Sequence, residues 1–235
     1  MRQEPIEAAR NFISEYFPDC QGAVLAGSVI RGEFTETSDL DIVVFCNDIS
    51  TAYRESLIAF GWPIEIFVHN FISYKDYFEN DCKRARPSLP RMVSEGFVLK
   101  DENILDIIKN EAQKLLDKGP EAWTSETINF KRYFITDVLE DFIGCGNRPE
   151  GIFVANALAD LVIEFVLRTN RKWTGTSKWA LRSLKQYDLE FAEQFVYAFD
   201  EFYKNNKKCA VINLVDEVLQ PYGGRLFEGF SLGKK

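Results

Sequence analysis

Leu25-Ala26-Gly27-Ser28-Val29-Ile30-Arg31-Gly32-Glu33-Phe34-Thr35-Glu36-Thr37-Ser38-Asp39-Leu40-Asp41-Ile42-Val43-Val44-Phe45 is the stretch whose reading decides the fold. The run Ala23-Val24-Leu25-Ala26 is apolar and leads straight into Gly27-Ser28, which reads as a buried strand ending in a turn. Leu40 to Cys46 is β-branched and apolar apart from Asp41, a second buried strand. The spacing predicts that Ser28 opens a helical turn. A glycine before it lets backbone N–H groups approach an anion, and a helix N-terminus favours negative charge. Arg31 lies one turn later and can reach the same anion with its charged fork.

Asp39 and Asp41 stand two residues apart at the start of the second strand. Strand geometry puts both carboxylates on one face, about 6.5 to 7 Å apart. Two carboxylates on an apolar strand are costly unless a cation compensates them. Mg²⁺ favours a few carboxylates together with substrate phosphates. Glu65 is a third acid, alone in the apolar run Ile64-Glu65-Ile66-Phe67-Val68. If that run is a strand beside Asp39–Cys46, the three acids converge, an arrangement suited to two metal ions clamping a phosphate ester.

Outward from this segment, residues 4–17 carry apolar side chains at a helical period, and Pro18 ends that helix. Residues 51–60 read as a short helix stopped by Gly61 and Pro63. Residues 73–86 read as helical, and Pro87–Pro90 as a turn. The expected first half is a strand–helix–strand–helix–strand core preceded by a helix. Lys118-Gly119-Pro120 is the expected boundary, a basic last turn followed by Gly and Pro. Beyond it the pattern turns to long helical periods over 124–142, 150–169, 177–186, 189–205 and 207–219. The fold class is therefore an α/β domain (1–118), a small mixed sheet with flanking helices, followed by an all-α helical-bundle domain (119–235).

The chain has 235 residues, 46% of them hydrophobic, and a net charge of −8. That apolar share excludes a disordered tail protein, and the charge disfavours stable nucleic-acid binding. No apolar run approaches the roughly 18 to 20 residues of a membrane helix, and Met1-Arg2-Gln3-Glu4-Pro5 does not read as an apolar signal region, so neither membrane insertion nor secretion is expected. The five cysteines are scattered with no C-x-x-C pair, which points to reduced thiols and a cytoplasmic location. His69 is the only histidine, so histidine-rich mechanisms are disfavoured. Residues 1–120 carry 13 basic and 20 acidic side chains, nearly all of the excess acidity. Two basic stretches run against it: Lys83, Arg84, Arg86 and Arg91, and then Arg171, Lys172, Lys178, Arg182 and Lys185. A solvated face accounts for either.

Gly27-Ser28, Arg31-Gly32, Asp39-x-Asp41 and Glu65, in that order and strand context, resemble the signature of the nucleotidyltransferase superfamily related to DNA polymerase β. The resemblance implies that Gly27, Ser28 and Arg31 hold the phosphates of a nucleoside triphosphate. It implies that Asp39, Asp41 and Glu65 bind the metals, two Mg²⁺ ions, and that Glu65 also helps deprotonate the acceptor. A hydroxyl then attacks the α-phosphorus in line and pyrophosphate leaves. A helical domain after the α/β domain is similar to the bacterial enzymes that nucleotidylate aminoglycoside or lincosamide antibiotics. In such enzymes the helical domain supplies an acidic general base and a basic residue for the triphosphate.

Asp137 and Asp141 lie four residues apart on one helix face, above Phe130 and Phe134. They are the candidate bases, with Glu140 next; two solvated acids, or acids paired with Lys131 or Arg132, are the plainer reading of this pair. Glu164 and Arg168 have the spacing of a surface ion pair. Lys178, within Trp173-Thr174-Gly175-Thr176-Ser177-Lys178-Trp179, is similar in setting to the lysine that contacts the triphosphate. The two tryptophans can stack on a ring or pack in the core. Gly223 to Phe230 is a Gly/aromatic loop that can close a cleft or seal the fold.

The expected function is transfer of AMP from ATP to a hydroxyl of a small molecule. The acidic first half would attract a polycationic acceptor. A protein or RNA acceptor is one rival, disfavoured by the helical extension and the acidic balance. A non-catalytic nucleotide-binding module is the other, disfavoured by the intact acid set.

Overall fold

Pro5 begins the first helix, at the position where a missing N–H costs nothing. This is α1 (Pro5–Tyr16) in a computed structural model that describes residues 2–233. Ala8, Ala9, Phe12 and Ile13 form its buried face. The strands β1 (Gly22–Ala26), β2 (Leu40–Phe45), β3 (Tyr53–Ala59), β4 (Trp62–His69) and β5 (Phe97–Asp101) form one sheet in the order β3-β4-β2-β1-β5. β2 and β4 run parallel, while the β1–β2, β1–β5 and β3–β4 pairs are antiparallel. The sheet is therefore mixed.

Alternation along β2 divides the core. Leu40, Ile42 and Val44 pack with Phe12 and Ile13 of α1 on one face. Val43 and Phe45 face Phe78, Val93 and Ile108 on the other. Those three residues belong to α2 (Ser73–Lys83), α3 (Ser88–Glu95) and α4 (Leu105–Lys118). Asp41 shares the face of Val43 and Phe45 by the period of two.

Three local expectations are corrected. Residues 51–60 are not helical; they supply β3, joined to β4 by a two-residue hairpin at Phe60-Gly61. Both hairpin residues have positive φ, 52° and 78°, the backbone that matches strand twist in the tightest turns. Pro87–Pro90 is not simply a turn, because α3 begins at Ser88. Pro90 sits in its first turn, where no intrahelical N–H bond is lost. Ser28 does not start a helix. Residues 28–32 form a turn closed by Gly32 N–H to Val29 O at 3.2 Å and Glu33 N–H to Ser28 O at 3.0 Å. β5, for which the sequence carried no expectation, pairs with β1.

The chain separates into two compact units, one ending at Gly119 and one beginning at Pro120. The second unit is helical: α5 (Ser125–Gly144), α6 (Arg148–Thr169), α7 (Lys178–Tyr187), α8 (Leu189–Asn205) and α9 (Cys209–Leu219). Its core gathers Leu139, Phe142, Leu158, Phe165, Phe202 and Val215. Burying each such side chain stabilises by about 1.5–3 kcal/mol relative to exposure. Thr124 caps α5 by accepting the Thr127 N–H, and Asp188 caps α8 by accepting that of Phe191. No helix among the described residues is long and apolar enough to cross a membrane.

The segment after α9 lies along α5 as a strap. Arg132 is buried and donates from Nε and Nη2 to Gly224 O, at 3.2 and 2.9 Å. Leu226 N–H donates to Thr136 Oγ1 at 2.9 Å. Tyr133 stacks on Phe230 with ring centroids 3.8 Å apart. The Gly/aromatic loop therefore seals the helical unit.

Candidate active site

The parallel register of β2 and β4 puts Asp41 directly across from Glu65. Asp39 stands two residues before Asp41, on the same face. Each of the three half-buried acids offers an oxygen within 4.8 Å of the others, a set able to hold a metal ion. Burial, and then the charges of Asp39 and Glu65, push the Asp41 carboxyl up to about 6, against the pull of Arg31 and Arg54. Arg54, paired with Glu65, offsets only part of the charge of three carboxylates placed so closely on a largely apolar sheet, and a hard dication fits that donor set.

Gly27 ends β1 beside this cluster, and its φ of +82° is one that residues with a side chain rarely adopt. Ser28 follows; its Oγ donates to Ser38 Oγ at 3.3 Å, and Ser38 Oγ also accepts the Thr35 N–H at 2.9 Å. Those bonds tie the start of the 28–38 loop to its end, just before Asp39. Without a helix at Ser28 there is no helix dipole at this turn. Positive charge comes instead from side chains.

Arg31 ion-pairs with Glu33 at 3.4 Å and Glu95 at 3.5 Å. Arg91 approaches the same Glu95 at 3.9 Å, with only 17% of its side chain exposed. Burial lowers its pKa, and the nearby Arg31 adds to that. Arg54, on β3, pairs with Glu65. Neither Arg54 nor Arg91 stood out as a site residue in the sequence. Reading residues 51–60 as a helix hid the alternation that puts Arg54 on the face of Glu65. Arg91 was grouped with Lys83 and Arg84, which pair instead with Glu79 and Asp81.

His69 ends β4, is 3% exposed, and packs edge-on against Tyr77. Burial lowers its pKa to about 4, so it is neutral at pH 7 and a weak base.

In the helical unit, Asp137 and Asp141 are exposed on α5, and neither has an ion-pair partner among the described residues. Their expected partners are engaged elsewhere: Lys131 with Glu164 at 2.6 Å, and Arg132 with Gly224 and with Asn129. The expected Glu164–Arg168 surface pair is not made. Arg168 is buried, donates to Glu121 O at 2.8 Å, and lies over the Trp123 ring. Glu140 pairs with Arg225 at 2.7 Å, which occupies it. Lys178 is the first residue of α7 and is exposed. Trp179 lies under Arg182, whose Cζ is 5.0 Å from the ring centroid.

A mixed sheet carrying a Gly-Ser turn, paired aspartates at a strand start and a third acid on the parallel neighbour defines a nucleotidyl-transfer domain. The family profile of the nucleotidyltransferase domain matches residues 6–145, and the chain belongs to that family. Its fold is also that of a nucleotidyltransferase-like protein from Exiguobacterium sibiricum, with a TM-score of 0.50 at 13% sequence identity. That likeness covers 92% of this chain and 74% of the other. No curated protein matches the chain in sequence. The protein is a nucleotidyltransferase.

Proposed function

We propose that the protein transfers AMP from ATP, with Mg²⁺, to a hydroxyl of a small molecule, and that aminoglycosides or lincosamides are the acceptor class. The observation that carries this reading is the convergence of Asp39, Asp41 and Glu65 within 4.8 Å beside the Gly27-Ser28 turn. The three acids would hold the metal. When bound, the metal supplies charge neutralisation at the phosphates and orients the α-phosphate.

The chain's own residues do the rest. Gly27 and Ser28 present backbone and hydroxyl to the phosphates, and Arg31 brings a guanidinium to the same turn. The acceptor oxygen forms a bond to the α-phosphorus as the bond to the bridging oxygen breaks, and pyrophosphate departs with that electron pair. The acceptor's proton passes to a carboxylate of the helical unit, Asp137 or Asp141. Glu65, engaged as a metal ligand, is less available for it. Lys178 contributes a cation toward the triphosphate. The surplus of acids in residues 1–120 favours a polycationic acceptor over RNA.

Incubation with ATP, Mg²⁺ and a panel of aminoglycosides and lincosamides should release pyrophosphate and give an adenylylated product, and a chelator should stop it. ATP binding with no product across a broad acceptor panel overturns the small-molecule assignment. Recovery of an AMP-modified protein partner from the same assay would replace it.

A further inference from the structure

Arg54 is the cation seated on the acid cluster. In the β3–β4 register it lies opposite Phe67, while Ser56 lies opposite Glu65, so Arg54 is the diagonal neighbour of Glu65 on the same face. Its Nη2 reaches Glu65 Oε2 at 2.5 Å, and its Cζ stands 4.9 Å from the Phe67 ring centroid. It is also one of the two cations that oppose the upward shift of Asp41. The oxygen that Arg54 grips belongs to the same carboxylate that completes the three-acid set. A dication drawing on that carboxylate must compete with the guanidinium for it. The Arg54 side chain is 58% exposed, so it can leave Glu65 for solvent without unpacking the sheet.

We infer that Arg54 is a positioning residue that occupies the third metal ligand until the metal arrives, and so sets the metal affinity of the empty enzyme. This rests on reading Asp39, Asp41 and Glu65 as the metal site. Arg54 holds the Glu65 carboxylate toward the cluster, keeps three acids from repelling one another unscreened, and gives way on loading. An exposed, charge-assisted pair of this kind corresponds to roughly a three- to tenfold competition.

The test uses Mn²⁺ as probe, titrated calorimetrically into the full chain without nucleotide. Arg54→Met keeps the apolar stem over Phe67 and removes the charge, while Arg54→Lys keeps a cation. The inference expects Arg54→Met to bind Mn²⁺ roughly three- to tenfold more tightly than wild type, and Arg54→Lys to stay within about twofold. Melting curves in chelator should fall by no more than about 4 °C, since the acids lose a screening charge but the side chain that carried it is exposed and away from the core. A purely structural arginine would shift the melting curve and leave Mn²⁺ affinity unchanged. Equal or weaker binding by Arg54→Met overturns the inference. A wild-type isotherm identical to that of Asp41→Asn shows that no metal binds at the acids, which overturns the metal reading itself.

Discussion

A β-carbon built on Gly27 would stand 2.1 Å from Asp41 Oδ2. Ala26 and Asp41 are Cα partners across β1 and β2, so the strand ends just where the aspartate needs room. The glycine of the turn and the aspartate of the strand are thus one device: the carboxylate occupies the space a side chain would fill. Gly27→Ala should displace that carboxylate and force alanine into a φ of +82°. The backbone strain alone costs about 1–2 kcal/mol. Urea denaturation should show at least that loss, and Mn²⁺ binding should weaken by about tenfold or more if Asp41 is a ligand. A variant with wild-type Mn²⁺ affinity would show that the contact positions nothing.

Asp41 should destabilise the metal-free protein above pH 6. Its carboxyl is raised to about 6 when folded, against 3.8 for an unperturbed aspartate. Between those values the folded state binds more protons than the unfolded chain, so this group's contribution falls as pH rises. Asp41→Asn removes the ionisation. Metal-free Asp41→Asn should therefore gain stability relative to wild type as pH goes from 4 to 7, by about 1–3 kcal/mol. Its turnover should be lost, because a metal-ligand charge is gone. Parallel stability curves for the two proteins over that range would remove the case for a strained carboxylate.

His69 acts with the opposite sign. Burial lowers its pKa from 6.5 to about 4, so on acidification the unfolded chain takes up a proton before the folded state does. Its neutral, buried form is fully compatible with folding above pH 6.5, and that contribution is lost as pH falls toward 4. His69→Phe keeps a ring against Tyr77 and cannot titrate. Relative to this variant, wild type should lose about 1–3 kcal/mol between pH 7 and pH 4. Asp41 and His69 titrate in overlapping windows with opposed slopes, so their two contributions largely offset near pH 5. Guanidinium melts of each single variant would separate the two.

Which parts of this were readable in the sequence follows from where each element gets its stability. Helices α5 to α9 carry their own periodicity, because each buries a stripe spaced by helical turns. β1 and β2 are near-continuous apolar runs because they are buried on both faces, and β4 is buried on one face and mostly half-buried on the other. β3 is different: its residues are mostly exposed, and it is a strand because β4 pairs with it through the positive-φ hairpin at Phe60-Gly61. That pairing is tertiary, and a local reading of residues 51–60 misses it. The Arg54–Glu65 pair was lost with it. Asp39, Asp41 and Glu65 could be assembled from sequence because two of them share a strand and the third interrupts another. The attachment of Gly224 to Arg132 spans 92 positions and has no local signature.

Arg225 fixes the strap to the helical unit. It donates from Nε and Nη2 to the two oxygens of Asp216, both at 2.8 Å, and from Nη1 to Glu140 at 2.7 Å. A fork that meets two acids at once holds a backbone segment better than a single exposed pair. Arg225→Ala should raise the exchange rate of the Leu226 amide, which donates to Thr136 Oγ1, by tenfold or more, with a global stability loss of only about 1 kcal/mol. Unchanged Leu226 exchange would place the hold on the Tyr133–Phe230 stack instead.

If the proposed reaction runs, asparagine variants distinguish Asp137 from Asp141 as its proton acceptor. Both are exposed on α5, four residues apart, and the basic neighbours that would tie them down are bonded elsewhere. Glu140 is held by Arg225, so on the proposed reading Asp137 and Asp141 are the acids of α5 to test. An asparagine keeps the size and hydrogen-bonding reach of aspartate but cannot accept the proton. At the acting position it should lower kcat by about 10²- to 10⁴-fold and leave the KM for ATP within a few-fold. At the other position both parameters should stay close to wild type, apart from relief of the like-charge spacing, a few tenths of a kcal/mol. Equal, small effects at both positions would move the proton to solvent or to Glu65 after Arg54 has let it go.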